Sequence, residues 1–267
     1  MIDLKEIIRY YPTELRRSEF YEQMVKEYFH FHMLRFLFSA KHAEKINFLG
    51  GSALRYVYGI KRFSEDLDFD CINLDRNQFI EMTDHVVREL NKMNIKSEVA
   101  DSEKDKRLFA FRRVIVFPEL KFELGLSRHK EAKFFIKIEA EPQNYLYQHQ
   151  IKILNGFEVV IPVRIVPVEV IFATKIATAI KRKKDRDFFD FIFLSSFSRP
   201  DFGYLETKLG IKNTVQLKEE LYNAAISKKL DSRKLFDCEH MLFNQGDRQK
   251  ISNFITYIKS FDFSVWE

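Results

Sequence analysis

One stretch of the chain, Phe48–Asp70, limits the possible folds more than any other. An apolar run that begins at Ile46 stops at the pair Gly50-Gly51, and a short amphipathic segment follows it. The stretch ends on Asp66-Leu-Asp-Phe-Asp70, in which acidic and apolar residues alternate. Apolar runs and strict alternation are typical of strands, and glycine pairs are typical of turns. The pattern therefore predicts a strand, a glycine turn, a short helix, a loop and a second strand.

The acidic end of this stretch suggests a metal site. Side chains two positions apart in a strand point to the same face, about 7 Å apart at Cα, so Asp66 and Asp68 would share one face. Such carboxylates can converge on the paired metal ions of phosphoryl-transfer sites, and oxygen-only ligands favour Mg²⁺, with Mn²⁺ as the alternative. A third carboxylate is expected from a neighbouring strand. Glu139 in Lys137-Ile-Glu139 is the preferred candidate, and Glu123 has the same local pattern and stays a rival.

The glycine turn suggests a phosphate site beside these acids. Gly50 and Gly51 let the backbone approach a triphosphate closely, and the start of the next helix presents free N–H groups. The Ser52 hydroxyl can add a hydrogen bond, and Arg62 and Ser64 stand just before the acids. A tight turn beside a solvated acidic strand is the other interpretation of the same residues.

A second group of charged residues lies on a predicted helix from Val168 to Lys184 and its continuation. Lys175 can neutralise triphosphate charge, as lysine does elsewhere in phosphoryl transfer. Asp187 and Asp190 either take part in the site or pair with nearby arginines to brace two helices. The basic run Lys181–Lys184 fits either an RNA backbone or a solvated helix face.

Composition excludes several classes of protein. The 267 residues carry a net charge of +5, which permits a nucleotide or nucleic-acid partner without requiring one. Two cysteines are too few for a disulfide framework or a four-cysteine zinc site. No apolar run approaches the roughly 18 residues of a membrane span, and the N-terminus lacks a signal-peptide core. We therefore expect a cytoplasmic protein with no membrane partner.

The coarse plan is an α/β N-terminal half, residues 1–166, and an all-helical C-terminal half, residues 167–267, that completes the site. The pattern predicts strands at Leu108–Phe117, Leu120–Leu126 and Phe134–Glu141. The pair Asn155-Gly156 predicts a hairpin turn. Further predicted elements are a charged loop over Asp101–Lys106 and helices over Ser232–His240 and Gln249–Phe261.

These motifs carry a family resemblance. The segment Gly50–Leu54 followed by Arg62–Asp70 resembles the first motif of the AbiEii/AbiGii toxin family, which belongs to the nucleotidyltransferase superfamily with the DNA polymerase β-like fold. Lys137-Ile-Glu139 resembles the second motif. The run from Val168 through Arg182 to Arg186-Asp-Phe-Phe-Asp190 is similar to the third motif of the family. One departure is Ala173-Thr-Lys175, where the family usually has Ala-Glu-Lys. The lysine is kept.

The resemblance implies an α+β fold, with a mixed sheet flanked by helices and followed by a helical C-terminal half. It also implies Mg²⁺-dependent transfer of a nucleoside monophosphate from an NTP, with release of pyrophosphate. Members are toxins of AbiE-type toxin–antitoxin or abortive-infection systems, and in some the acceptor is the 3′ end of tRNA. The expected metal ligands are Asp66, Asp68 and Glu139, which with Lys175 form the catalytic set. The expected nucleotide-binding residues are Gly50, Gly51, Ser52, Arg62, Ser64, Lys137 and Asp187.

Two other hypotheses fit the same residues. The chain could be a non-catalytic RNA- or partner-binding module on this fold, with vestigial acids. It could also be a nucleotidyltransferase that modifies a small molecule or a protein instead of RNA. The sequence leaves open the NTP, the acceptor, a cognate antitoxin and the oligomeric state.

Overall fold

A computed structural model describes residues 3–100, 110–230, 238–244 and 246–267. Contacts between residues divide the chain into two compact units. The first comprises Met1–Gly59, Phe63–Asn144 and His149–Ile165, and the second comprises Ile60–Arg62, Tyr145–Gln148 and Val166–Glu267. The second unit therefore takes in two short segments that precede the predicted boundary. That the two units are separate folding domains stays a prediction.

The first unit is built on a seven-stranded mixed sheet with the order β3-β4-β5-β2-β1-β7-β6. The strands are β1 (Ile46–Leu49), β2 (Leu67–Cys71), β3 (Glu98–Val99), β4 (Phe111–Phe117), β5 (Phe134–Ala140), β6 (Gln150–Gly156) and β7 (Val159–Ile165). The central strand β2 pairs antiparallel with β1 and parallel with β5. The remaining pairs are antiparallel, except for the parallel pair of β1 and β7.

The described part of the first unit contains five α-helices: α1 (Leu4–Arg9), α2 (Tyr21–Ser39), α3 (Gly50–Val57), α4 (Arg76–Lys92) and α5 (Leu120–Glu123). Helix α2 is buried on nearly every side, and it packs on β7 and α4. Helix α4 begins at a capping box, in which the Asp75 carboxylate accepts from the Gln78 backbone and the Gln78 side chain accepts from the Asp75 backbone. Three of these helices pack on the sheet: α2 on β7, α3 on β2 and α4 on β4.

The second unit contains six helices in its described part: α6 (Val168–Arg182), α7 (Asp185–Ser195), α8 (Phe202–Leu209), α9 (Thr214–Lys228), α10 (Gly246–Ser252) and α11 (Phe254–Ser260). Pro167 immediately precedes α6, where a missing N–H leaves no intrahelical bond unmade. Aromatic side chains fill the interior, among them Phe172, Phe191, Phe254 and Trp266. Within the described residues, no helix is long and apolar enough to cross a bilayer.

Three local predictions were wrong. Residues Leu120–Glu123 form helix α5 instead of a strand, and Leu120 and Leu124, four positions apart, are both buried on one side of it. The β6–β7 turn falls on Phe157 and Glu158, both with positive φ, instead of on Asn155-Gly156. The predicted helix Gln249–Phe261 is interrupted at Asn253, between α10 and α11.

The displaced turn has a physical reason. A Cβ on Gly156 would lie 2.8 Å from the Phe31 ring, so this glycine is needed for close packing. Two non-glycine residues then take the left-handed conformation, at a cost of about 1–3 kcal/mol each. Phe157 offsets this strain by packing on Tyr10, Tyr11, Tyr28 and Phe31.

Two predicted elements lie wholly or largely outside the described residues: the loop Asp101–Lys106, and all but the end of the helix Ser232–His240. The described end of the latter contains a short 3-10 turn over Glu239–Met241. The fold class agrees with the prediction. The protein has an α+β fold, with a mixed sheet flanked by helices and a helical C-terminal half.

Candidate active site

Strand pairing brings the predicted carboxylates together in the first unit. In the parallel ladder of β2 and β5, Asp68 is the partner of Glu139, and on its other side Asp68 faces Leu49 of β1. Partner residues on adjacent strands share a face and lie about 5 Å apart. Asp66 immediately precedes β2 and its side chain is 24% exposed, against 23% for Glu139. The three predicted metal ligands therefore lie at one end of the β2–β5 pair.

The ammonium group of Lys137 lies between two of these carboxylates. Its Nζ is 2.8 Å from Asp66 Oδ2 and 3.7 Å from Glu139 Oε1. Burial alone would lower the pKa of Lys137, but the hydrogen bond to Asp66 and the charges of both acids outweigh it and raise the pKa. Lys137 is thus a firmly charged cation held by both carboxylates.

Arg112 is a site residue that the sequence analysis missed. It lies opposite Glu139 in the antiparallel ladder of β4 and β5, and its Nε donates to Glu139 Oε1 at 2.7 Å. The side chain is 32% exposed, so it can also meet a ligand. The signal was present in Phe111-Arg-Arg113, because two arginines in a strand point to opposite faces. Arg113 points to the other side, where it bonds Asp84 and Thr83 of α4.

The glycine turn packs against the carboxylate of Asp68. Gly50 has φ +82°, and a Cβ there would lie 2.8 Å from Asp68 Cβ and 2.9 Å from Asp68 Cγ, with Oδ2 closer still. Only glycine allows the backbone to take this conformation with Asp68 packed against it. Gly51 is also buried, at the start of α3.

Ser52 has a protein partner. Its hydroxyl donates to the backbone carbonyl of Asp66, and the residue is fully buried. This bond ties the first turn of α3 to the residue just before β2, so Ser52 helps to position Asp66. Ser64, two residues before Asp66, is 7% exposed. The nucleotide-binding roles of Ser52 and Ser64 stay predictions.

The donor set of this cluster suits a hard divalent cation. It offers carboxylate oxygens, which Mg²⁺ and Mn²⁺ prefer. Asp66 and Glu139 already surround a cationic group, the ammonium of Lys137. Within residues 3–100, 110–230, 238–244 and 246–267, however, no three acidic, histidine or cysteine side chains are arranged around one metal position. The chemistry of the residues fits a metal ion, and Lys137 lies between two of the predicted ligands, Asp66 and Glu139.

A buried ion cluster lies in the second unit. Asp190 of α7 is fully buried, and its two oxygens accept from Arg62 Nε and Nη2 at 2.7 Å each. Lys175 Nζ of α6 lies 2.8 Å from Asp190 Oδ2. Burial would raise the pKa of Asp190, but Arg62 and then Lys175 outweigh it and lower the pKa. The sequence left two roles open for Asp190, and its contacts agree with the second, an ion pair that braces helices. The arginine is Arg62, which was not expected as its partner.

The other predicted residues of this unit have distinct surroundings. Asp187 is fully buried, and Arg182 lies 3.4 Å from its Oδ1, while its Oδ2 has no hydrogen-bond partner in the described structure. Arg62 is 2% exposed and Lys175 10%, measured on their side chains. Sequence spacing could not reveal the pairing of Arg62 with Asp190, because the two residues are 128 positions apart. The catalytic role of Lys175 and the nucleotide-binding roles of Arg62 and Asp187 stay predictions.

Comparison with solved structures agrees with this fold. The protein is similar to MenT4, a nucleotidyltransferase toxin of Mycobacterium tuberculosis, with 15% identity and a TM-score of 0.55 over 100% of this chain and 93% of that one. It is also similar to JHP933 of Helicobacter pylori, with 17% identity and a TM-score of 0.49 over 88% and 91% of the two chains. No curated protein matches the sequence. The likeness to MenT4 identifies the fold as one used by nucleotidyltransferases.

A family model supplies the activity. The model described as nucleotidyl transferase AbiEii toxin, type IV TA system, matches residues 35–254, which is most of the chain. The protein belongs to this family and is a nucleotidyltransferase toxin of a type IV toxin–antitoxin system. The family implies an NTP substrate, a divalent metal and an antitoxin partner.

Proposed function

We propose that the protein transfers a nucleoside monophosphate from an NTP to a hydroxyl group of RNA, with the 3′ end of tRNA as the first candidate acceptor. The observation that carries the proposal is the register of β2 and β5, which makes Asp68 and Glu139 partners beside Asp66. The mildly basic chain, with a net charge of +5, supports a polyanionic acceptor. We further propose that the reaction takes place in the cytoplasm.

In this reaction the acceptor oxygen forms a bond to the α-phosphorus, the bond from that phosphorus to the bridging oxygen breaks, and pyrophosphate leaves. We assign Asp66, Asp68 and Glu139 as the residues that would hold Mg²⁺, with Mn²⁺ as the alternative. The metal, when bound, supplies positive charge for the phosphate oxygens and lowers the pKa of the attacking hydroxyl. Glu139 accepts the proton that leaves this hydroxyl.

The chain's own groups prepare the donor. We assign the backbone at Gly50 and Gly51 to the β- and γ-phosphates, because a glycine backbone can approach a phosphate closely. Lys137 and Arg112 carry two positive charges on the same face as the carboxylates, and they can exchange those partners for phosphate oxygens. In the second unit, Lys175 is proposed to take part in catalysis and Asp187 in nucleotide binding, as the sequence predicts.

Nucleotide transfer by single variants tests the proposal. Each of four labelled NTPs is incubated with tRNA, total cell protein or an aminoglycoside. We expect label on tRNA from the wild type and none from Asp66→Asn or Glu139→Gln. Glu123→Gln is the matched control, because Glu123 is exposed on α5, outside the cluster, and this variant should keep full activity.

The outcomes separate the hypotheses. Transfer retained by Asp66→Asn would refute the carboxylate assignment. Label on protein or on the aminoglycoside alone would refute the RNA acceptor and leave the enzyme class intact. Calorimetric titration with Mg²⁺-NTP tests the hypothesis of a non-catalytic module. Such a module would bind no nucleotide through Asp66 and Asp68. Thermal unfolding of each variant shows that lost transfer is not lost folding.

A further inference from the structure

Helix α2 carries a buried polar stripe. Most of the buried residues of this helix are apolar, but four at the spacing of one helix face are polar: Gln23, Lys26, Glu27 and His30. Burying a polar or charged group costs free energy unless the group is hydrogen-bonded. The partners of these four side chains therefore show which parts of the first unit the polar stripe restrains.

Two residues of the polar stripe bond to α3, the helix that begins at the glycine turn. Arg55 Nε donates to Glu27 Oε1 at 2.6 Å, and the Tyr56 hydroxyl hydrogen-bonds to the His30 ring. Buried networks of this kind rigidify the elements that they join. This half of the polar stripe therefore restrains the helix whose first residue packs against Asp68.

The other two residues of the polar stripe bond to Glu65. Lys26 Nζ lies 3.0 Å from Glu65 Oε1, and Gln23 Nε2 donates to the same oxygen at 3.3 Å. Glu65 belongs to the link between α3 and β2, residues 58–66, and it immediately precedes Asp66. Consecutive Cα atoms are about 3.8 Å apart across a planar peptide unit. A restraint on Glu65 therefore limits where Asp66 can lie.

Lys26 also contacts the strand that carries Glu139. Its Nζ lies 5.8 Å from the centre of the Phe135 ring, within the range of a cation–π contact. Phe135, Lys137 and Glu139 alternate along β5 and so share one face of the sheet. Lys26 therefore joins the residue before Asp66 to the strand that supplies Glu139.

We propose that Lys26 is a positioning residue of the nucleotidyltransferase site, which holds Glu65 and, through the shared peptide unit, Asp66. The inference rests on the proposed function, because it takes Asp66 to be a metal ligand. Lys26 supplies a charge that Gln23 lacks, and charge-assisted hydrogen bonds are about twice as strong as neutral ones. The Lys26 side chain is only 8% exposed, so salt screens this contact less than a surface ion pair.

Three variants isolate the contact. Lys26→Met keeps a long aliphatic side chain and removes the ammonium. Glu65→Gln removes the charge on the other side, and it should stay folded because the Glu65 side chain is 31% exposed. Lys121→Met is the matched control, because Lys121 of α5 pairs with Glu22 of the same helix α2 at 2.8 Å and does not bond to the link.

Metal affinity and activity are measured separately on the full-length protein. Mn²⁺ is titrated by calorimetry in the presence of an NTP analogue that cannot be cleaved, and kcat and KM are measured with the acceptor that the wild type labels. Residues that orient a metal ligand typically contribute ten- to a hundredfold to metal affinity or activity. We therefore expect Lys26→Met and Glu65→Gln each to weaken Mn²⁺ binding and to lower kcat by about tenfold or more.

Two further results are expected from the same measurements. KM for the NTP at saturating metal should be nearly unchanged in Lys26→Met, because the groups assigned to the phosphates remain. The double variant with Glu65→Gln should be no worse than the more impaired single variant, because both changes remove one contact. Lys121→Met should keep the Mn²⁺ affinity and the kcat of the wild type.

A merely structural role of Lys26 would lower Tm and leave the Mn²⁺ affinity and kcat of the folded variants at wild-type values, and that result would overturn the proposal. Multiplied losses in the double variant would overturn it as well, because Lys26 would then not act through Glu65. Asp66→Asn separates this failure from that of the proposed function. An impaired Asp66→Asn beside an unimpaired Lys26→Met refutes only the positioning role, whereas an unimpaired Asp66→Asn refutes the carboxylate assignment itself.

Discussion

Replacing Gly50 with alanine would separate the backbone role of this residue from its contact with Asp68. Gly50 has φ +82°, and an added Cβ would lie 2.8 Å from Asp68 Cβ and 2.9 Å from Cγ. Carbon atoms make favourable contact at about 3.5–4.0 Å, so either Asp68 or the turn must move by roughly half an ångström or more. Asp68 is held in a ladder between Leu49 and Glu139, so the displacement falls on the carboxylate cluster.

The expected magnitudes differ for stability and for activity. An alanine in the left-handed region costs about 1–2 kcal/mol. For a chain of this size each kcal/mol lowers Tm by about 2–4 °C, so the backbone effect alone is about 2–8 °C. A displacement approaching 1 Å at a reacting centre can lower the rate about a hundredfold. We therefore expect Gly50→Ala to be folded at 25 °C and to transfer nucleotide about a hundredfold more slowly.

Gly59→Ala is the control for the backbone effect. Gly59 has φ +76°, in the same unit, and apart from its chain neighbours no heavy atom of the described residues lies within 4 Å of the Cβ position. It should lose stability by a similar backbone penalty and keep its activity. The measurements are Tm by thermal unfolding and the rate of NMP transfer from labelled NTP. Equal rates for the two variants would refute the role of Gly50 in placing Asp68.

Two further predictions concern buried charges. Asp190→Asn leaves Arg62 buried without its anion, which should lower the free energy of unfolding by about 3–5 kcal/mol in urea titration. The control Glu206→Gln removes only an exposed ion pair and should change the free energy of unfolding by less than about 1 kcal/mol. Equal losses in the two variants would contradict the argument from the buried pair. Burial lowers the pKa of His30 from 6.5 to about 3, so below pH 6.5 the unfolded chain binds a proton that the folded protein excludes. The contribution of neutral His30 to the free energy of unfolding is therefore complete above pH 6.5 and is lost as the pH falls towards 3. The loss is about 2 kcal/mol between pH 7 and 5. His30→Leu should flatten this dependence in urea titrations across that range, and an unchanged slope would show that other groups cause it.

The local patterns of the chain were sufficient to predict the centre of the fold. An apolar run, two glycines and alternating acids specify β1, α3 and β2 because each of these signals is read within a few residues. The partnership of Asp68 with Glu139 could only be guessed, since strand order depends on contacts between residues 71 positions apart in the chain. Arg112 was missed for the same reason, because its significance lies in facing Glu139 across a ladder.

The wrong predictions show where a local signal is ambiguous. Leu120 and Leu124 fit alternation in a strand as well as the four-residue spacing of a helix, and the left-handed Glu119 immediately precedes α5. With α5 in that place, strand alternation no longer supports Glu123 as a metal ligand. The pair Asn155-Gly156 is a hairpin signal, but tertiary contact with Phe31 uses the glycine for packing and moves the turn.

The three carboxylates of the site are restrained in three different ways. The ammonium of Lys137 holds Asp66, the guanidinium of Arg112 holds Glu139, and the turn at Gly50 packs against Asp68. The first two restraints are ionic and can be exchanged for a metal ion or a phosphate, because those charges compete directly for the same oxygens. The contact between Gly50 and Asp68 is steric, so no charge that arrives at the site can replace it. We therefore expect Asp66 and Glu139 to be the predicted ligands whose partners change when donor and metal arrive, while Gly50 keeps its contact with Asp68.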